Sequence, residues 1–302
     1  MISSNKPHPR GDSSPKHRYR IRQHSTKTQS NPEAEAAVHA DLGANPIPER
    51  PPKFPSVGDQ PQHNDLDTGS DTVTCPWAVS SAAHKVILKG IMQYQVALPN
   101  FSPPPRCAFV RYLEGYFRGF QNHLPFIHPQ TFIPGSVRSE LLLAMTAVGA
   151  MYRFEYSAGH YLYGAEQPPF SSIQTVQALI ILMVMSSWGQ KSLIQDSMAM
   201  SSQLAFMVRE IGVHEPDNAT RPNLRWLEWV AHEQRRRTLL VAYIVFNLHS
   251  IAFNIPPMIL TRKVALNLPS CEAVWNAASS ASWERHRVRT ALHKRGFTTA
   301  MN

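Results

Sequence analysis

The chain has 302 residues and a formal net charge of +9, from 30 Lys and Arg residues against 21 Asp and Glu residues. Hydrophobic residues make up 43% of it and charged residues 17%, so the chain can bury a core, which excludes the collagen-like, mucin-like and fully disordered classes. Three scattered cysteines, Cys75, Cys107 and Cys271, are too few for a disulfide framework or a four-ligand zinc site, and they indicate a reducing intracellular compartment.

The N-terminal residues have no apolar core of the kind that a signal peptide needs. The longest apolar runs, 178–185 and 239–246, have eight residues each. Since a membrane span needs about twenty predominantly apolar residues, we predict neither secretion nor membrane insertion, and we expect both runs to be buried helices.

Residues 1–75 form a Pro-rich tail that we predict to be disordered. They hold ten of the 25 prolines and only two aromatic residues, too little apolar surface to offset the entropy cost of ordering the backbone. The first thirty residues carry a net charge of +6 and residues 31–75 carry −6, so the tail is basic and then acidic.

The segment KHRYRIR at 16–22 alternates cations with Tyr19 and Ile21. The candidate contacts to nucleic-acid phosphates, or to the nuclear import machinery, are Lys16, Arg18, Arg20 and Arg22. An ordinary solvated basic tail is an equally acceptable interpretation of the same residues.

Helical periodicity begins after Cys75. We interpret residues 76–105 as one amphipathic helix followed by a Pro-rich linker, NFSPPP at 100–105. In the next segment, large rings recur at spacings of three and four between Phe109 and Phe120, which places them on one stripe of a helix. Two prolines in NHLPFIHP prevent this helix from continuing.

The rest of the chain predicts an all-α domain over residues 106–302. We expect further helices at about 136–152, 157–167, 171–188, 192–212 and 223–254. Ser171 or Ser172 is a suitable N-cap, and Pro256-Pro257 ends the last of these helices. No long segment alternates as a strand does, so the fold class is a multi-helix domain behind a disordered tail.

A search for enzyme motifs finds no GxSxG, GxGxxG, phosphate-binding loop or HExxH. His232-Glu233 resembles the start of a zinc motif, but Arg236 stands where the second histidine would be and would repel a metal. We therefore predict that the protein is not an enzyme and has no catalytic, cofactor-binding or metal-binding residue.

Two other groups of residues have competing interpretations. His123 and His128, on either side of the LPFI turn, could be ligands or an acid–base pair, but imidazoles bonded to backbone carbonyls are favoured. The three arginines at 235–237 lie in a long predicted helix, where pairing with Glu228 or Glu233 at helical spacing is favoured over DNA contact.

Six blocks, in order, resemble the fungal-specific transcription factor domain, the helical middle homology region of fungal zinc cluster and zinc finger regulators. They are YFRGFQNHLPFIHPQTF (116–132), SELLLAMTAVGAMY (139–152), VQALIILMVMSSW (176–188), SSQLAFMVREIGVHEP (201–216), WLEWVAHEQRRRTLLVAYIVFNLHSIAFNIPPMI (226–259) and LPSCEAVWNAASSASW (268–283). The last block resembles the corresponding block of the subgroup that carries paired C2H2 fingers at the N-terminus.

The resemblance implies a nuclear, all-helical regulatory domain that controls RNA polymerase II transcription, without catalysis. It implies as partners other transcription factor subunits or co-regulators, a homodimer or heterodimer contact, and DNA only indirectly or non-specifically. Zinc is expected only if an upstream finger module exists, because residues 1–75 hold a single cysteine. We expect a truncated member of the family, in which control of a metabolic or secondary-metabolite pathway is common.

Two alternatives without direct DNA binding stay open. The first is a helical small-molecule sensor with a pocket among Met183, Met185, Met198, Met200 and Met207, although methionines more often mark adaptable core packing. The second is a protein-interaction scaffold.

Overall fold

Nine α-helices and several short 3-10 turns make up the regular secondary structure of the residues that the computed structural model describes, which are 75–94, 100–164, 172–189, 191–214, 224–290 and 300. Within these ranges there is no β-strand. The helices are α1 Ser81–Met92, α2 Arg106–Arg118, α3 Ser139–Tyr152, α4 Tyr156–Tyr163, α5 Ile173–Trp188, α6 Ile194–Ile211, α7 Trp226–Phe253, α8 Glu272–Trp275 and α9 Ser280–Thr290. The predicted all-α class is confirmed, whereas the predicted disorder concerns residues that, apart from Cys75, lie outside the described ranges.

Local hydrogen bonds explain where two of the predicted helices begin. The α3 helix starts at Ser139 rather than at residue 136, because Arg138 is extended and its amide N–H donates to the side-chain oxygen of Gln174 (2.9 Å). The Ser172 hydroxyl accepts a hydrogen bond from the amide of Thr175 (3.2 Å), so Ser172 is the N-cap of α5. The sequence did not predict α8 and α9.

The centre of the core is formed by α3 and α5, whose side chains are buried around most of their circumference. Helix α3 packs against α2, α4 and α5, and α5 packs against α6 and α7. The aromatic stripe of α2 faces this core, as predicted, with Phe109, Tyr112 and Tyr116 fully buried. None of the described helices is both long and apolar enough to cross a membrane.

Helices α2 and α3 approach each other at two glycines. A Cβ added at Gly149 would lie 1.9 Å from the carbonyl oxygen of Tyr112, and one added at Gly115 would lie 2.4 Å from the carbonyl oxygen of Gly149. Because real Cβ atoms do not come that close to backbone, this crossing requires glycine at both positions.

The methionines of the proposed sensor pocket do not share one environment. Met183, Met185 and Met207 are buried in the hydrophobic core, and Met200 packs against its edge. Their placement is that of adaptable core packing, the interpretation favoured from the sequence.

The longest described helix, α7, ends where the sequence predicted. Its C-cap, Asn254, has a left-handed backbone (φ 51°), a conformation that asparagine tolerates, and Pro256-Pro257 follow. Beyond it, α8 and α9 contribute to a small second cluster of Val274, Ala277 and Trp283, against which Trp226 and Trp229 pack.

Candidate functional site: a buried Glu-Arg-Arg cluster

Three charged residues of α7 form a buried polar group: Glu233, Arg236 and Arg237, called here the Glu-Arg-Arg cluster. Their spacing of three and four residues places both guanidinium groups beside the carboxylate on one side of the helix. Arg236 Nη1 lies 2.5 Å from Glu233 Oε2, and Arg237 Nε lies 2.9 Å from Oε1. Glu233 is fully buried, so this pair of bonds compensates for the loss of its hydration.

Ser270 joins the cluster to the segment that follows α7. Its amide N–H donates to Glu233 Oε1 (2.7 Å) and its hydroxyl to Oε2 (3.2 Å). In return, Arg237 Nη2 donates to the Ser270 carbonyl (2.6 Å), and Nη1 donates to the carbonyl of Pro125 (3.4 Å). One carboxylate and one guanidinium thus fix the backbone of two loops that are far apart in the chain.

His128 adds a third connection. Its Nε2 lies 2.8 Å from the carbonyl of Trp275 and its Nδ1 lies 2.9 Å from the Thr131 hydroxyl. A neutral imidazole that donates from Nε2 and accepts at Nδ1 satisfies both bonds. The Trp275 ring in turn lies beneath the Arg237 guanidinium, 4.3 Å from its centroid, at a distance typical of a cation–π contact.

The protonation of His128 follows from these surroundings. Its pKa is lowered to about 4, chiefly by burial and also by the positive charge of Arg237, while the bond with the Trp275 carbonyl acts in the opposite direction. The imidazole is therefore neutral at physiological pH. Its contacts are those of a carbonyl-bonded histidine, as favoured from the sequence, and His123 instead lies beside the ring of Tyr152 (6.4 Å between centroids).

The chemistry available to the cluster is structural. Both oxygens of Glu233 are occupied by donors, and Arg236 stands beside the carboxylate where a zinc motif would need a histidine. Within the described ranges, no group of three or more His, Cys, Asp or Glu side chains could hold a metal ion.

The candidate residues predicted from the sequence have different outcomes. Lys16, Arg18, Arg20 and Arg22 lie outside the described residues. The predicted pairing of the arginines is confirmed for Glu233, whereas Glu228 accepts a bond from the amide of Arg225 at the start of α7 (3.1 Å). Arg235 does not join the cluster and donates to the carbonyl of Ile211.

A second buried polar cluster was missed by sequence reasoning. His249 Nε2 lies 2.5 Å from the Ser187 hydroxyl, which also lies 2.7 Å from Ser197. Ser187 Oγ donates to the carbonyl of Met183 (2.5 Å), so its oxygen accepts from the imidazole instead of losing a proton to it. This arrangement is the reverse of an activated nucleophile, and the His249 ring is buried.

Comparison with known proteins adds a family match. The model of the family described as the fungal specific transcription factor domain matches residues 113–302, well over half of the chain. The chain is also similar to zinc finger protein klf1 of Schizosaccharomyces pombe (strain 972 / ATCC 24843), at 29% identity over 196 residues. That alignment covers 57% of this chain and 25% of the relative, so the chain spans about a quarter of the relative's length. No solved structure matches.

Proposed function

The chain belongs to the fungal-specific transcription factor domain family, and on this basis we propose that it regulates RNA polymerase II genes as the helical regulatory domain of a fungal transcription factor. We place that domain at residues 106–302, after a helix and Pro-rich linker at 76–105. The observation that carries the proposal is the family match over 190 residues, from 113 to 302. The family is one of transcription factor domains, not of enzymes.

The Glu-Arg-Arg cluster supports a regulatory role for the fold. It lies within the matched residues. Hydrogen bonds from Arg237, together with the bond between His128 and Trp275, connect helix α7, the loop at 125–131 and the segment at 270–275. A domain whose buried charges hold loops in place presents a fixed surface, and we propose that this surface contacts other transcription factor subunits or co-regulators. In our proposal the protein acts in the nucleus, as a homodimer or heterodimer.

DNA recognition is assigned to a different part of the assembly. The relative's name describes a zinc finger protein, and a zinc-bound reader is a reasonable partner or additional module for a domain of this family. The described residues offer no metal-binding group, so in this proposal they touch DNA at most indirectly. We further propose a metabolic or secondary-metabolite pathway as the target, on the strength of the family resemblance alone.

A tethering experiment tests the proposal. The whole chain is fused to an unrelated sequence-specific DNA-binding domain in a fungal cell that carries a reporter gene with the matching sites. We expect the fusion to raise or lower the reporter transcript relative to the DNA-binding domain alone, and the direction would distinguish an activator from a repressor.

A cluster variant, Arg237→Lys, is compared with a control variant, Arg118→Lys, both expressed at the same level. Because the cluster fixes two loops, we expect Arg237→Lys to lose most of the change in reporter transcript. Arg118→Lys, at an exposed ion pair, should keep it. A nuclear, soluble wild-type fusion that leaves the reporter unchanged would contradict the proposed function.

A further inference from the structure

Three aromatic residues are exposed where α3 ends and α4 begins: Tyr152, Phe154 and Tyr156, called here the aromatic patch. The rings of Phe154 and Tyr156 are edge to face, with 6.4 Å between their centroids. The Tyr152 ring lies against Gly119 at the end of α2, where an added Cβ would overlap it. Single exposed apolar side chains are common on protein surfaces, whereas a group of exposed aromatic rings is typical of an interaction surface.

The backbone of Phe154 shows that the fold does not account for its ring. Phe154 has a left-handed backbone (φ 61°). Its amide donates to the carbonyl of Met151 (2.9 Å), and the next amide donates to the carbonyl of Ala150 (2.9 Å), which are the two bonds of a Schellman motif. Glycine is the usual residue there, because a Cβ disfavours this conformation. Since Phe154 is 79% exposed, packing does not offset the strain, and its ring serves a contact outside the described fold.

The rim of the aromatic patch is cationic. Arg118 and Arg153 both pair with the carboxylate of Glu114, at 3.1 and 2.8 Å, so these three side chains have a net charge of +1. Arg111 and Glu155 form a second pair that is neutral. Aromatic rings inside a cationic rim fit a segment that combines apolar residues with acidic ones.

The described part of the chain begins beside this rim. Trp77 follows two residues after Cys75, the first described residue, and its ring lies beneath the Arg118 guanidinium, 5.2 Å from the centroid. The next residue of α2's C-terminal end, Gly119, contacts the Tyr152 ring of the patch. The upstream segment is therefore attached within a few side chains of the aromatic patch.

The composition of this upstream segment matches the patch and its rim. Residues 46–55, PIPERPPKFP, hold five prolines and Phe54. Pro-rich segments favour the polyproline II conformation, and surfaces lined by aromatic side chains bind it at a low entropy cost because it is preformed. Residues 56–74, which connect this segment to the domain, contain four Asp and no Lys or Arg, so they complement the cationic rim.

We propose that the aromatic patch binds the chain's own Pro-rich segment, residues 46–55, with the acidic residues 56–74 passing along the rim. The nineteen residues from 56 to 74 can span at most about 65 Å, which is ample for the few side chains between Cys75 and the patch. Attachment to the same chain gives the segment an effective concentration on the order of 1 mM, so a weak contact is enough.

This inference goes beyond the proposed function, because it names what covers one interaction surface of the domain. A partner that uses the same surface must offer the same chemistry, a Pro-rich segment with acidic neighbours, and it must displace residues 46–55 first. The covered surface thereby selects against partners that bind more weakly than the attached segment.

Photocrosslinking in the full chain tests the contact. Phe54 is replaced by p-benzoylphenylalanine, which keeps an aromatic ring at this position and forms a covalent bond to neighbouring C–H groups on irradiation. Mass spectrometry of the digested product maps the bond. We expect crosslinks within one chain, from residue 54 to the peptide that contains residues 152–156.

Matched substitutions locate the contact. Phe154→Gly removes the ring and should lower the crosslink yield about tenfold, as expected for the loss of a central aromatic anchor. Phe206→Ala removes another exposed ring, on α6, and should leave the yield unchanged. Glycine also relieves the left-handed backbone at 154, so Phe154→Gly should remain folded, as checked by circular dichroism.

Substitutions in the tail test the same contact without altering the described fold. Pro51→Ala with Pro52→Ala should lower the crosslink yield, because alanine does not hold the polyproline II conformation. Pro7→Ala with Pro9→Ala, elsewhere in the tail, should keep the wild-type yield. These variants decide the question if Phe154→Gly does not fold.

Other results would overturn the proposal. Crosslinks from residue 54 that join two chains into a covalent dimer would make a second copy the occupant of the patch. Crosslinks that avoid residues 152–156, or a yield that both Phe154→Gly and the Pro51/Pro52 variant leave unchanged, would show that the segment does not bind there. None of these outcomes depends on the reporter experiment, so failure of this inference is distinguishable from failure of the proposed function.

Discussion

Arg237 contacts four different groups through one side chain. It bonds the carboxylate of Glu233 and the carbonyls of Pro125 and Ser270, and it lies over the ring of Trp275. Arg237 reaches these acceptors with three different nitrogen atoms, Nε, Nη1 and Nη2, of one planar guanidinium. A lysine ammonium has the same charge but concentrates its donors on one atom, so it can replace only part of this network.

We therefore predict that Arg237→Lys lowers the free energy of unfolding by about 3 kcal/mol, because it leaves buried acceptors without donors. Urea denaturation at neutral pH measures the change. The matched control is Arg118→Lys, at an ion pair with Glu114 where the arginine side chain is 67% exposed. There the expected loss is roughly 0.5 kcal/mol or less, and equal losses in the two variants would contradict a special role for Arg237.

His128 makes the stability of the protein depend on pH. Its pKa falls from the ordinary value of 6.5 to about 4 on folding, so the unfolded chain takes up the proton first as the pH decreases. The contribution of His128 to the free energy of unfolding is therefore fully present above pH 6.5. It is lost progressively between pH 6.5 and 4, by up to about 1.4 kcal/mol per pH unit. Burial lowers the pKa of His160 and His249 as well, and both act in the same direction.

The variant His128→Gln should retain a donor for the Trp275 carbonyl but has no titrating group. We expect it to be less stable than the wild type at pH 7 and to lose stability less steeply between pH 6.5 and 4, as measured by urea denaturation at several pH values. His123→Gln, at an exposed position, should leave the slope unchanged. An unchanged slope in His128→Gln would show that other groups cause the acid sensitivity.

The sequence predicted part of these residue contacts and not the rest, for a physical reason. Glu233 and the arginines are separated by three and four residues, and helical spacing alone places them together. Ser270 is 37 residues from Glu233, and His249 is 62 residues from Ser187. No periodicity relates positions so far apart, because their contact depends on how whole helices pack.

At the scale of secondary structure, the crossing of α2 and α3 depends on backbone contact. Gly149 lies inside α3, where helix propensity alone would favour alanine. Alanine usually stabilises a helix by up to about 1 kcal/mol relative to glycine. Here the added methyl group would lie 1.9 Å from a carbonyl oxygen, so the two helices would have to separate.

We predict that Gly149→Ala destabilises the protein by about 3 kcal/mol, the opposite sign from its intrinsic helix propensity. Thermal denaturation followed by circular dichroism measures the effect. In the control Gly135→Ala, the new methyl group would be 3.4 Å from the Cβ of Ala83, an ordinary contact, and little change is expected. A stabilised Gly149→Ala variant would contradict the close backbone contact between α2 and α3.

The helices predicted from the sequence were those with an apolar stripe at helical spacing or with prolines that end the helix. The rings of α2, the apolar runs of α5 and α7 and the Pro256-Pro257 pair are local signals, and the structure confirms them. Helix α8 has four residues, too few for a periodicity, and α9 has a polar sequence, SASWERHRVRT. Its Trp283 packs in the small cluster near Trp229, which the sequence of α9 alone does not indicate.

At the scale of the whole molecule, the net charge of +9 leads to a prediction about nucleic acid. We expect the full chain to bind random duplex DNA weakly through Lys16, Arg18, Arg20 and Arg22. With four phosphate contacts, the slope of the logarithm of the binding constant against the logarithm of the salt concentration is about −3.6. Fluorescence anisotropy at several salt concentrations measures it.

Replacing those four residues by glutamine should remove this binding, whereas Arg285→Gln with Arg289→Gln, on the exposed side of α9, should preserve it. Tight, sequence-selective binding of a short duplex by the wild-type chain would instead give the protein a DNA reader of its own. That result would require a revision of the assignment of DNA recognition to a partner or additional module.

The bond between His128 and Trp275 also affects how the protein is synthesised. The two residues are 147 positions apart, so at typical translation rates the ribosome needs about 7 to 30 s between them. During that interval the loop at 125–131 has been synthesised, while its partners in the segment at 270–275 have not. Nascent chains therefore wait in a half-assembled state, and chaperone supply and codon usage downstream of residue 128 should influence how much protein matures.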